Sequence, residues 1–141
     1  MNISDLIRKA ERGSAVAQTF LGTCYLDGID VEVDHKKAFY FLSAAAEQGA
    51  SRAIANLARM YAEGLGVAKN IHEAIRLYER AAEAGEFLAQ VELGRIYSSG
   101  VGVSTNTEAA RKWYAAAAAQ ETSVGDCEEL QEAKAYVRKP S

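Results

Sequence analysis

The chain has 141 residues, of which 25% are charged and 49% hydrophobic, and it carries a formal net charge of −3. This is enough for one compact domain or a short repeat array, and too apolar a composition for a disordered chain. The acidic balance argues against a nucleic-acid partner, because neutralising phosphates requires a basic face.

The first fourteen residues include Asp5, Arg8, Lys9, Glu11 and Arg12 and so lack the apolar core of a signal peptide. The most apolar run, residues 38–46, is far too short to span a bilayer. These features predict a cytoplasmic protein with no membrane partner. Residues 1–12, with Leu6, Ile7 and Ala10 at helical spacing, read as an N-terminal cap helix.

From Gly13 onward the chain repeats every 36 residues. Glycines recur at Gly13, Gly49 and Gly85, and leucines at Leu21, Leu57 and Leu93. Tyrosines follow at Tyr25, Tyr61 and Tyr97, and alanines at Ala45, Ala81 and Ala117. Such a period means stacked copies of one supersecondary unit. In each copy a first helix carries an apolar stripe such as Ala17, Leu21, Cys24 and Tyr25, and ends at Gly28, Gly64 or Gly100. In the corner that follows, Asp30 stands where Gly66 and Gly102 stand in the other copies. Aspartate enters positive φ more readily than most residues, so the substitution is compatible with the turn.

Asp34, Asn70 and Asn106 then sit at one phase as N-caps of a second helix, whose stripe is Ala38, Phe41, Leu42, Ala45 in the first copy. The boundaries predicted are 13–48, 49–84 and 85–121 for the three repeats, within one repeat domain covering residues 1–141. Residues 122–137, with Leu130, Ala133 and Val137 at helical spacing, read as a closing cap helix, and residues 138–141 as a frayed tail.

The string Ala-x3-Leu-Gly-x2-Tyr-x2-Gly-x-Gly-Val, a capping Asp or Asn, then Ala-x2-Trp-x3-Ala-Ala resembles the Sel1-like repeat, related in architecture to tetratricopeptide repeats. The third copy fits it best, with Trp113 at the aromatic position; Asp30, Ala58 and Glu121 depart from the glycines of the pattern. The resemblance implies an all-α fold, a right-handed α-α superhelix (solenoid) of three helix-turn-helix repeats with terminal capping helices. It also implies first helices lining a concave face. Proteins similar to this family commonly act as adaptors or regulators in bacterial signalling, envelope and secretion systems, and some as neutralising partners of toxins. The resemblance therefore implies a non-enzymatic protein–protein interaction module with a protein or peptide partner of unknown identity. Self-association is a further use of the surface. The alternative is a small-molecule binder or hydrolase in the same groove, since β-lactam binding or hydrolysis has been attributed to cysteine-rich relatives. This chain has only Cys24 and Cys127 and lacks their paired cysteines.

No catalytic, cofactor or metal constellation is expected. His35 and His72 lie near the starts of successive second helices with Asp34 and Glu73 nearby, and read as surface histidines ahead of a metal or acid–base pair. The Gly-x-Gly-Val corners follow helices and not strands, which removes the context of a phosphate loop. Cys24 occupies the phase of Met60 and Ile96 and is expected to be a buried apolar residue.

The expected binding residues are those pointing off the stripes of the first helices. They are Thr19, Phe20, Thr23 and Asp27 in the first copy, Asn56, Arg59 and Glu63 in the second, and Glu92, Arg95 and Ser99 in the third. Arg59 and Arg95 share one phase, roughly one helix-pair apart at about 10 Å, and such a pair could take an acidic peptide. The alternative is that each answers its own helix, through Glu63 and Glu92. Phe20 is either a binding anchor or a side chain packed on the cap helix.

Overall fold

The computed structural model describes residues 2–140. They form nine helices and no strand: α1 (Ile3–Glu11), α2 (Ala15–Asp27), α3 (His35–Glu47), α4 (Ser51–Glu63), α5 (Ile71–Glu83), α6 (Phe87–Ser99), α7 (Thr107–Ala118), the short α8 (Glu121–Val124) and α9 (Glu128–Arg138). The fold class is that expected, an all-α repeat solenoid of three helix-turn-helix repeats.

Local chemistry sets the helix ends. Asp34, Asn70 and Asn106 accept hydrogen bonds from the backbone N–H groups of Lys37, Glu73 and Ala109, which satisfies donors that a helix start leaves free. Gly28, Gly64 and Gly100 close the first helices in the left-handed conformation, and Asp30 adopts φ 62° in the corner as its side chain permits. Each corner is then tied back by one recurring bond. The N–H of the capping residue donates to the carbonyl of Tyr25, Tyr61 or Tyr97, at 2.8–2.9 Å.

The chain packs as two compact units, Met1–Leu77 and Tyr78–Ser141. In the first, α1 lies against α2, α2 against α3 and α3 against α4, and α2 also touches α4. Leu21, Leu42 and Met60 are fully buried, and the rings of Tyr25 and Phe41 stack at 6.2 Å. In the second, α6 lies against α7 and α7 against α9, around Phe87, Val91, Tyr114, Leu130 and Ala133. There α9 stands to α7 and α6 as α4 stands to α3 and α2, so the closing helix takes the place of another first helix.

A buried glutamine arrangement recurs in both units. Gln18 donates to the carbonyl of Ala10 at the end of α1, and Gln48 donates to Gln18 Oε1 and to the carbonyl of Gly13. Two periods on, Gln90 donates to Ala82, and Gln120 to Gln90 Oε1 and Gly85. These bonds satisfy carbonyls that a helix end leaves without intrahelical partners. The corresponding residues of the second repeat are Ile54 and Ala84, which offer no such bond.

Within each unit the first and second helices of a repeat approach over a glycine. A Cβ on Gly22 would lie 2.6 Å from Leu42 Cγ, and one on Gly94 would lie 2.7 Å from the Tyr114 ring. Neither neighbour is the loose end of a flexible chain, so the helices themselves must separate. Gly22→Ala and Gly94→Ala are each expected to destabilise by about 1–3 kcal/mol through overpacking. Thermal unfolding followed by circular dichroism checks this, and an unchanged Tm in both variants would contradict the close helix contact.

Candidate functional site

In the first unit the polar residues of α2 and α4 bond to one another. Thr19 and Thr23 donate to the carbonyls of Ala15 and Thr19, a turn back on their own helix. Asn56 then donates to Thr23 Oγ1 at 2.9 Å. Arg59 donates to Asp27 Oδ1 at 2.8 Å and to Glu63 Oε2 at 3.0 Å. The guanidinium pKa is raised, chiefly by the hydrogen bond to Asp27, with burial opposing. Because Thr23 and Asp27 meet Asn56 and Arg59 in the same order, α2 and α4 run parallel.

The apolar residues of this face behave differently. Val16 is 82% exposed, Phe20 57% and Ile29 46%. Phe20 is therefore not buried on the cap helix α1. Together with Thr19, Thr23, Ala50 and Ser51, these three side chains line a shallow groove between α2 and α4.

In the second unit Arg95 is gripped by α9. It donates to both carboxylate oxygens of Glu132, at 2.9 Å from Nε and 2.6 Å from Nη2, and to Glu92 Oε1 at 2.6 Å. Tyr114 donates to Glu132 Oε2 at 2.7 Å. Hydrogen bonds from Arg95 hold the Glu132 carboxyl below its usual range, against the effect of burial and with help from Tyr114. The Tyr114 hydroxyl is raised, first by burial and then by its bond to Glu132. Tyr97, bonded to Glu79, is pushed up to about 12 by burial and that bond. Arg95, Ser98, Ser99, Tyr114, Glu132 and Lys139 edge an open polar groove.

Both arginines thus bond within their own helix and also across to a neighbouring one. Sequence reasoning placed Arg95 and Glu92 in the site but missed Glu132 and Tyr114. Glu132 lies in α9, outside the 36-residue repeat, so periodicity gave no signal for it. Chemically, the arrangement is a set of neutralised cations and neutral phenols.

His35 is half-buried beneath the Gly66 corner, where a Cβ on residue 66 would lie 2.6 Å from His35 Cβ, while His72 is exposed. The reading of two surface histidines therefore holds for His72 and needs correcting for His35, because the corner folds over it. Cys24 is buried, as expected, and its thiol pKa is raised, first by burial and then by Asp30 and Asp27. Both cysteines are free thiols. Among the described residues no group of three or more His, Cys, Asp or Glu is placed to hold a metal, and no helix is long and apolar enough to cross a membrane.

Helix pairs closed by left-handed glycines, tied at each corner and stacked at a fixed period, define an α-helical repeat protein. The family model for the Sel1 repeat matches residues 15–49, 51–86 and 88–121, and the chain belongs to the Sel1 repeat family. Among solved structures it is similar to a Sel1 repeat protein from Oxalobacter formigenes, at 39% identity over 94% of this chain and 97% of that one, with a TM-score of 0.75. It is also similar to a protective antigen present in uropathogenic Escherichia coli strains and displaying an SLR fold, at 29% identity and a TM-score of 0.75. That match covers 93% of this chain and 31% of the antigen. No curated protein matches the chain significantly. Sel1 repeat proteins are in general protein-interaction modules, and the fold is typically a non-enzymatic scaffold.

The Arg95–Glu132–Tyr114 cluster makes acid stability measurable at one residue. A carboxylate with a depressed folded pKa contributes stability that is complete above its unfolded value and lost as pH falls through the folded one. Glu132→Gln is expected to lower Tm at neutral pH by about 2 °C, a small effect because the pair is partly exposed. The difference from wild type should shrink as pH falls below the ordinary glutamate range and through the lowered folded pKa of Glu132. A difference that stays constant from neutral to acid pH would show that the charge of Glu132 is not what matters.

Proposed function

We propose that this chain is a non-enzymatic interaction module, an adaptor that holds a protein or peptide partner on the faces of its first helices. The observation that carries this reading is the exposed apolar series of Val16 and Phe20 on α2 and Ile29 in the corner that follows it. Large apolar side chains so exposed, beside a shallow groove, mark interaction sites.

Phe20 serves as the anchor, with Thr19, Thr23 and Asn56 as the polar surround. Arg59 with Asp27 and Glu63, and Arg95 with Glu92, contribute shape and orientation to the partner more than net charge, because each guanidinium is matched by carboxylates. Ser99 lies at the edge of the groove in the second unit. The two free thiols suit a reducing compartment such as the cytoplasm.

Affinity capture from a bacterial lysate, read by mass spectrometry, tests the proposal. Wild type is compared with a Thr19→Arg/Ile29→Asp variant whose helix content is verified by circular dichroism. The expected outcome is a protein retained by wild type and depleted at least about tenfold by the variant, a loss of roughly 1.4 kcal/mol. Equal retention on both would remove the α2–α4 groove from the binding surface.

A further inference from the structure

A second groove lies on the other side of the Val16–Phe20 ridge. Its walls are Ile3 and Leu6 of α1 and Val16, Ala17, Phe20 and Cys24 of α2, with Lys9 at one end and Asp30 at the other. Repeat symmetry shows what kind of element such a groove receives. One period on, Leu6 becomes Leu42 and Phe20 becomes Asn56. The helix lying against those two residues is α2 itself, through Gly22 on Leu42 and Thr23 on Asn56. The α1–α2 groove is therefore a continuation of the helix-to-helix packing that builds the first unit, and what it is shaped for is a helix parallel to α2.

We propose that this groove seats an amphipathic helix of a partner protein, running parallel to α2, apolar where it meets Phe20, acidic in its first turn and basic in its last. The apolar face is required because Phe20 and Val16 stand where α4 has Asn56 and Arg52. The Asn56–Thr23 bond seen between α4 and α2 has no counterpart at Phe20.

The charges follow from the ends of the groove. Lys9 lies with Ser14 and Val16 at the start of α2, and Asp30 lies beyond its end. Both side chains are exposed, and neither forms an ion pair among the described residues. A helix parallel to α2 presents its first turn to Lys9 and its last to Asp30. Acidic residues at a helix start and basic ones at its end also complement the helix dipole, so one charge pattern satisfies both demands.

A second copy of this chain offers a helix of the right charge order in α9, with Glu128 and Glu129 in the first turn and Arg138 in the last. Its apolar residues Leu130 and Ala133 are, however, already buried within the second unit. A partner protein is the occupant that can bring a free apolar face. The two grooves share Val16, Phe20 and Cys24 but differ in their outer walls: Lys9 and Asp30 line only this one, Thr19 and Ile29 only the α2–α4 groove.

The probe is a displayed library of helical peptides, each with an apolar face fixed as leucine at i, i+3, i+4 and i+7 and all other positions random. It is selected on the full chain. Enriched peptides are expected to carry Asp or Glu in the first turn and Lys or Arg in the last. A Lys9→Glu/Asp30→Asn variant, in which asparagine keeps the positive φ of position 30, should weaken their binding about tenfold in fluorescence anisotropy. Thr19→Arg/Ile29→Asp should leave it unchanged, which separates this site from the one proposed above. No enrichment, enrichment without charge order, or indifference to the Lys9/Asp30 variant would overturn the proposal. So would concentration-dependent self-association, seen by light scattering and abolished by Phe20→Glu, since the occupant would then be a second copy.

Discussion

The approach of helices over Gly22 and Gly94 is the constraint on which the rest of each unit depends. With no side chain at those positions, Leu42 and the Tyr114 ring can lie directly on the backbone of the facing helix. The alanines of the second helices, Ala38, Ala45, Ala110 and Ala117, are fully buried around these contacts. Close packing of this kind leaves little volume to relax into, so one methyl group is felt. The spacing also brings Tyr114 to Glu132 and Gln48 to Gln18, and both bonds require neighbouring helices at one fixed distance.

Burial at this density obliges the polar groups to find partners. The glutamine pairs satisfy helix-end carbonyls in the first and third repeats, and Arg59 and Arg95 each tie a first helix to a neighbouring helix of the same unit. Among the described residues no buried side-chain nitrogen or oxygen is left without a hydrogen bond. Arginines that look from their spacing like a waiting anion site are thus held by carboxylates, and their structural work competes with any use as binding groups. What stays exposed and apolar here is Val16 and Phe20 on α2 and Ile29 in its C-terminal corner. Apolar side chains exposed in this way still have free energy to gain from contact.

Both proposed grooves share the α2 ridge but differ in what surrounds it. The α2–α4 groove is rimmed by threonine hydroxyls already bonded to their own backbone, and so favours shape over charge. The α1–α2 groove has a cation at one end and an anion at the other, and so favours an oriented helix. The two proposed binding modes on one ridge thus differ in the groove walls supplied by α1 and by α4.

The sequence by itself determined the repeat, its helix ends and its fold class. Those depend on short-range chemistry: a glycine or Asp30 at positive φ, an Asp or Asn cap, an apolar stripe at helical spacing. Each of these acts within a few residues, and copying it every 36 residues made the signal unmistakable. That Thr23 and Asp27 share one face of α2, and Asn56 and Arg59 one face of α4, was legible on the same basis, as was the pairing of each arginine within its own helix. Their bonds across helices were decided only in three dimensions. Glu132 reaches Arg95 from 37 residues away and from outside the repeat, His35 is covered by a corner from the next repeat, and Phe20 stays exposed instead of packing on α1. Periodicity reports which face a residue occupies on its own helix. Which neighbour meets that face is set by how helices pack, and that information is spread over the whole unit.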